Sequence, residues 1–121
     1  MLVCVTTTGE DLDSKVDPRF ARAAYFIIYD TDTDEYKVVG NVQTMNVPQG
    51  AGIQAATTII DYEAEVVLTG NCGPNAFRVL NSNEIQLYVG LTDLTAREAI
   101  DKFKAGELEP VTEANVEGHW L

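Results

Sequence analysis

The sequence has almost none of the residues from which catalytic and metal centres are usually assembled. It contains one histidine, His119, and two cysteines, Cys4 and Cys72, in 121 residues. Two cysteines exclude a disulfide scaffold, and they exclude a zinc or iron–sulfur site built by this chain alone. With His119 beside Trp120 near the end of an acidic tail, a Cys–His nucleophile pair would depend on that tail, so a hydrolase is a poor reading. Basic residues are scarce too: eight against nineteen acidic ones, a formal charge of −11. Phosphate recognition needs clustered Lys and Arg, so neither a nucleic acid nor an anionic membrane surface is an expected partner. No apolar run approaches a membrane span. The opening Met1-Leu2-Val3-Cys4-Val5 lacks the charged start of a signal peptide, which makes a reducing cytoplasm the expected location.

What is present is enough apolar residue, 45%, to build one core in one domain. Leu2 to Thr6 is a near-continuous apolar run, the pattern of a strand covered on both faces. Tyr25 to Tyr29 and Tyr36 to Val42 are β-rich runs joined by the turn-forming Asp30-Thr31-Asp32-Thr33-Asp34-Glu35, hence an antiparallel hairpin. Asp17 and Pro18 are placed to cap and start a helical turn through Ala23. A linker through Pro48 leads to a helix with Ile53, Ala56, Thr57, Ile60 and Ala64 on one face. Glu65 to Thr69 and Ile85 to Val89 are buried-type strands, with a helix from Pro74 between them turning Ala76, Phe77 and Leu80 inward. Thr95-Ala96-Arg97-Glu98 is a capping box, its helix buries Ala96, Ala99, Ile100 and Phe103, and Gly106 closes it. The domain is expected over 1–106, with 107–121 as an acidic tail. Strands separated by helices run parallel through right-handed crossovers. The reading is therefore a three-layer α/β domain with a mixed five-stranded sheet.

In such a sheet, ligands bind beyond the carboxyl ends of the strands. Three segments reach that edge. Gly70-Asn71-Cys72-Gly73-Pro74 joins two glycines to a helix N-terminus, which suits an anion and should favour the Cys72 thiolate. Arg19 and Arg22, three residues apart, lie on one face if their segment is helical, and guanidinium groups are planar donors for oxyanions or sulfido anions. Gly50-Ala51-Gly52, with Gln54, enters the next helix and would form the opposite wall. Salt bridges to Asp17 or Asp30 would account equally for the arginines. A tight turn around a small buried side chain would account for the glycines and Cys72. Cys4 lies mid-strand as an inert buried thiol, too far from a loop cysteine for a disulfide.

Other patterns lead nowhere. The Asp30 to Asp34 alternation imitates a calcium loop, but Glu35 occupies the glycine position and Asn41 the closing acid. A phosphoryl-accepting domain would need acids after the first strand, where Thr6-Thr7-Thr8 stands, and a Lys after the last, where Gly90-Leu91 stands. A two-metal nuclease would need a carboxylate within Leu2 to Thr6.

Three segments in order, Asp17-Pro18-Arg19-Phe20-Ala21-Arg22-Ala23-Ala24-Tyr25-Phe26, Gly50-Ala51-Gly52-Ile53-Gln54-Ala55-Ala56 and Leu68-Thr69-Gly70-Asn71-Cys72-Gly73-Pro74-Asn75-Ala76-Phe77, resemble the dinitrogenase iron–molybdenum cofactor biosynthesis family. Its members include NifX-like carriers, the NifB C-terminal domain and the orange protein. The resemblance extends to about Gly106. It implies a ribonuclease H-like fold with strand order 3-2-1-4-5 and an antiparallel second strand. It also implies non-catalytic binding of an anionic metal–sulfur cluster, precursor or thiometallate, such as a molybdenum-containing one, for transfer to a protein partner. Ala21 stands where many members carry Gly, and Arg19 where some place a histidine ligand. That replacement favours ionic capture over imidazole ligation.

The expected site is thus Arg19, Phe20 and Arg22, Gly50, Gly52 and Gln54, and Gly70, Asn71, Cys72, Gly73 and Asn75. Phe20 would shield the cargo if it faces the cleft, and Cys72 is the one candidate for direct metal ligation. The competing readings are a regulatory module of the same fold holding a small organic anion or nothing, and an enzyme with Cys72 as nucleophile.

Overall fold

The computed structural model describes residues 1–41 and 50–114. The linker through Pro48, Val42 at the end of the expected third strand, and His119 and Trp120 lie outside the described residues. The elements run β1 (Leu2–Thr7), β2 (Tyr25–Asp30), β3 (Tyr36–Gly40), α1 (Ala51–Asp61), β4 (Val66–Leu68), α2 (Pro74–Ser82), β5 (Gln86–Tyr88) and α3 (Ala96–Lys104). Five strands form one sheet in the order β3-β2-β1-β4-β5. β2 is antiparallel to both β1 and β3, whereas β1, β4 and β5 are mutually parallel. The expected mixed sheet and strand order are therefore the observed ones.

Alternation along each strand divides the core in two. Cys4, Phe26, Ile28, Val67 and Leu87 face one layer, where Ala55, Ala56 and Ile59 of α1 and Ala76 and Leu80 of α2 cover them. Val3, Val5, Ile27, Val66 and Leu68 face the other, under Ala96, Ala99 and Ile100 of α3 and under Leu12 and Val16 of the loop after β1. β1 and β4 are buried on both faces, which is why they read as apolar runs.

Two expectations change. No helix forms at 18–23; the segment bends and turns, and Arg19 pairs as an isolated bridge with Asn71. The Asp17 carboxylate does accept nearby N–H groups, from Arg19 at 3.0 Å and Ala24 at 3.3 Å, but it organises a loop, as short acidic side chains also do. On α1 the buried stripe is Ala51, Gly52, Ala55, Ala56 and Ile59, with Ile53 43% exposed. Both stripes satisfy helical spacing. Of the expected face, Ala56 and Ala64 are buried and Ile60 packs partly against the core, whereas Ile53 and Thr57 are exposed, so the helix is turned to bring Ala55 and Ile59 inward.

The capping box at α3 is complete: the Thr95 side chain accepts from the Glu98 N–H at 3.2 Å, and Glu98 accepts from the Thr95 N–H at 2.9 Å. Gly106 ends that helix region with φ 74°, a conformation that suits glycine. Beyond it the chain stays attached. Leu108 and Val111 pack against the two cores, and the Val111 N–H donates to the Leu87 carbonyl at 2.8 Å, on the outer side of β5.

Replacing Thr95 by alanine is expected to cost about 1 kcal/mol in urea unfolding, the usual effect of losing an N-cap side chain. The backbone hydrogen bond from Thr95 holds the Glu98 carboxyl below its ordinary 4.5. A carboxyl depressed in the folded state contributes stability above its unfolded value and loses it as pH falls through the folded one. Stability should accordingly decline below about pH 4.5, and Glu98→Gln should flatten that part of the profile.

Candidate functional site

The parallel course of β1, β4 and β5 brings the starts of α2 and α3, which follow β4 and β5, and that of α1, which precedes β4, to the edge beyond the strands' carboxyl ends. These three N-termini differ. At α3 the Ala96 and Arg97 N–H groups donate to the carbonyls of Ser14 and Leu12, and Thr95 and Glu98 close the rest. The starts of α1 and α2 have glycine N-caps, Gly50 and Gly73, with no side-chain cap and no acidic residue in the first turn.

The loop after β1 is fastened to the loop after β4. The Phe20 N–H donates to the Asn71 carbonyl at 3.0 Å, the Asn71 Nδ2 to the Pro18 carbonyl at 2.9 Å, and the Gly70 N–H to the Asp17 carbonyl at 3.3 Å. Beneath this clip the hydroxyls of Thr6 and Thr69 share a buried 2.7 Å bond, and the Thr6 hydroxyl also donates to the Asp17 carbonyl. Gly70 is indispensable here. A β-carbon would stand 2.6 Å from the Pro18 Cα and 2.7 Å from its oxygen, with the Thr92 methyl also in the way.

Asn41, just past β3, fixes the far side of the same loop. Its Nδ2 donates to the carbonyls of Ala21 at 3.0 Å and Ala23 at 2.8 Å, and its backbone N–H to that of Ala24. Asn41 is 3% exposed, and among the described residues its Oδ1 meets no partner.

Of the expected residues, the clip brings together Arg19, Phe20, Gly70 and Asn71. The Arg19 side chain is exposed and, among the described residues, makes no ion pair. Arg22 is half-buried in the turn that Asn41 holds. Phe20 does not screen a cleft: it is fully buried, with its ring 5.9 Å from that of Phe26 in the α1–α2 core layer. A fully apolar side chain gains more from that core than from a wet edge. Gly50 and Gln54 are exposed at the start of α1, while Gly52 is buried against its neighbours. Asn75 lies exposed on α2 and accepts from Arg78.

Cys72 departs most from expectation. It is buried in the core with its Sγ 3.6 Å from the Gly73 carbonyl, and burial pushes its thiol up to about 12. Burial, not the start of α2, sets the direction: desolvation raises the thiol, against the thiolate the sequence suggested. A nucleophilic Cys72 is therefore disfavoured, and metal ligation would require it to lose a proton in an apolar site. Cys4 is likewise buried, its thiol raised by desolvation, and the two cysteines are not joined in a disulfide.

Sequence reasoning missed Thr6, Thr69, Asp17 as a loop organiser, and Asn41. The signal for the first two was a threonine ending each of two apolar runs. Asn41 carried none, since its partners are 17 or more residues away in the chain.

Taken together, the structure defines an α/β protein of the ribonuclease H-like type, its β1 and β4 loops clipped together at one sheet edge, with no assembled metal cluster of His, Cys, Asp or Glu among the described residues. The chain matches the family described as dinitrogenase iron-molybdenum cofactor over residues 1–106, and it belongs to that family. Among solved structures it is similar to the apo form of the orange protein from Desulfovibrio gigas, with 37% identity and a TM-score of 0.93, covering 95% of this chain and 96% of that one. It is also similar to a NifB-type protein from Thermotoga solved by NMR, with 38% identity, a TM-score of 0.82, and 97% and 98% coverage. A search of curated proteins gave no match.

Gly70→Ala is expected to lower stability by about 1–3 kcal/mol, the range for overpacking, and to loosen the clip. Amide exchange at Phe20 should quicken more than at Val67. Cys72 should react with a thiol reagent at pH 8 far more slowly in the folded protein than in denaturant.

Proposed function

We propose that this protein binds an anionic metal–sulfur species, such as a thiometallate, a molybdenum-containing cluster or its precursor, and passes it to a protein partner without transforming it. The observation that carries this reading is Arg19, whose exposed guanidinium makes no ion pair among the described residues of an acidic molecule, and whose backbone bridges to Asn71 two residues before the N-cap of α2. A guanidinium beside an uncapped helix start is a complementary pair of donors for a multiply charged anion. The overall charge of −11 does not oppose this, because surface charges beyond about 8–10 Å are largely screened.

Arg19 would supply direct charge and Arg22 a second guanidinium from the turn held by Asn41. Gly50 and Gln54 would face the cargo from the start of α1, and Gly70 to Gly73 would bring main chain close to it. The buried Cys72 points to capture by hydrogen bonds and charge in preference to thiolate ligation. Family membership and the likeness to the orange protein support cargo of this class.

Titrating the protein with tetrathiomolybdate should produce a saturable change in visible absorption and retained molybdenum after gel filtration. Arg19→Ala is expected to weaken binding about tenfold or more, in keeping with roughly 1.5–3 kcal/mol for a hydrogen bond to a charged group. A protein inert to thiometallate, and metal-free when purified without oxygen, would overturn the reading.

A further inference from the structure

β3 is an edge strand, and its hydrogen-bond phase can be read from its ends. The Asp30 N–H donates to the Glu35 carbonyl at 2.8 Å and the Asn41 N–H to the Ala24 carbonyl at 3.1 Å. In the antiparallel register that pairs Ile28 with Lys37 and Phe26 with Val39, these bonds turn the backbone groups of Glu35, Lys37, Val39 and Asn41 toward β2. The N–H and C=O groups of Tyr36, Val38 and Gly40 therefore face outward. Among the described residues, no strand pairs with them. The other edge differs, since the Val111 N–H already occupies the Leu87 carbonyl on β5.

The side chains around this open edge are unusually apolar for an exposed strand. Tyr36 is 43% and Val38 37% exposed, and Tyr62 at the end of α1 is 39% exposed. Tyr36 and Tyr62 line a cavity of about 370 Å³ between the hairpin and the end of α1. The carboxylates of Asp30, Glu35, Asp61 and Glu63 line the same cavity. Among the described lining residues the basic side chain is Lys37, whose ammonium lies 5.6 Å from the Tyr62 ring centroid, so that ring already receives a cation on its face, and the amino-terminal ammonium lies 3.8 Å from the Asp30 carboxylate.

An exposed strand with apolar side chains and no proline invites another strand. The charges decide which one. A second copy of this chain brings a further charge of −11, and in a parallel pairing it would also set Asp30 and Glu35 beside the same carboxylates. Like-charge juxtaposition across an interface is strongly unfavourable. The geometry points to β3 as a docking edge for an extended segment of a partner protein in which lysine or arginine alternates with apolar residues. The segment's main chain pairs with Tyr36, Val38 and Gly40, its apolar side chains cover Tyr36 and Val38, and a basic side chain enters the acidic cavity. Among the described residues, this edge meets the arginine loop through Asn41 at the strand's end.

The test is titration of the isotope-labelled protein with a synthetic peptide of alternating valine and lysine, followed by NMR. The expected result is saturable shifts centred on Tyr36, Val38 and Gly40, with slowed exchange of those amides. Val38→Pro removes an outward N–H without touching the β2 ladder and should weaken binding at least tenfold, as should Asp61→Lys with Glu63→Lys. Should Val38→Pro fail to fold, the charge reversals decide. Equal binding by a valine–glutamate peptide, shifts confined to another surface, or unchanged affinity in the folded variants would overturn the proposal. So would sedimentation showing a dimer that Val38→Pro abolishes, which would make a second copy the occupant. Because the readout involves no thiometallate, failure here leaves the cargo reading standing, and the reverse also holds.

Discussion

The close approach of two loop backbones at Gly70 is the constraint on which the rest of the candidate site depends. Strand β4 ends there, and the chain after β1 must cross directly over it for the Asp17, Pro18 and Phe20 backbone groups to meet Gly70 and Asn71. Any β-carbon at position 70 would intrude on Pro18. Once the two loops are fastened, Arg19 is held beside Asn71, Phe20 is drawn into the core and Cys72 is sealed beneath. The buried Thr6–Thr69 bond gives the clip a polar floor, so that its carbonyls are satisfied inside a low-dielectric edge where orphaned groups would be costly.

The consequence for chemistry is a division of labour between charge and thiol. A cysteine at the start of a helix, next to glycines, has the local setting of an activated thiolate. Packing against Phe20, Ala55 and Ala76 removes water from it, and desolvation dominates. What faces solvent is a guanidinium and main-chain N–H groups.

The two edges of the sheet are treated differently as well. β5 is met on its outer side by the segment at Val111, while β3 presents open backbone groups flanked by carboxylates. Acidic residues around an edge discourage pairing between copies, a familiar protection against aggregation. The hairpin acids also serve locally. Asp34 accepts from the Tyr29 hydroxyl and from Lys104, tying the turn to the end of α3, and the amino terminus pairs with Asp32.

Much was determined by the sequence alone. The apolar runs at Leu2 to Thr6 and Glu65 to Thr69 suited doubly covered strands, and Thr95 to Glu98 a helix cap, because both patterns depend on neighbours within a few residues. The three motifs shared with the family placed the glycines and arginines at one edge for the same reason. Tertiary structure alone decided which stripe of α1 is buried, that Asp17 organises a loop and not a helix, that Phe20 and Cys72 turn inward, and that Asn41 anchors the arginine loop. Each of these is a competition between a local preference and a contact made far away in the chain. Burial energies and close backbone approach settle such contests, and neither is written in the spacing of residues.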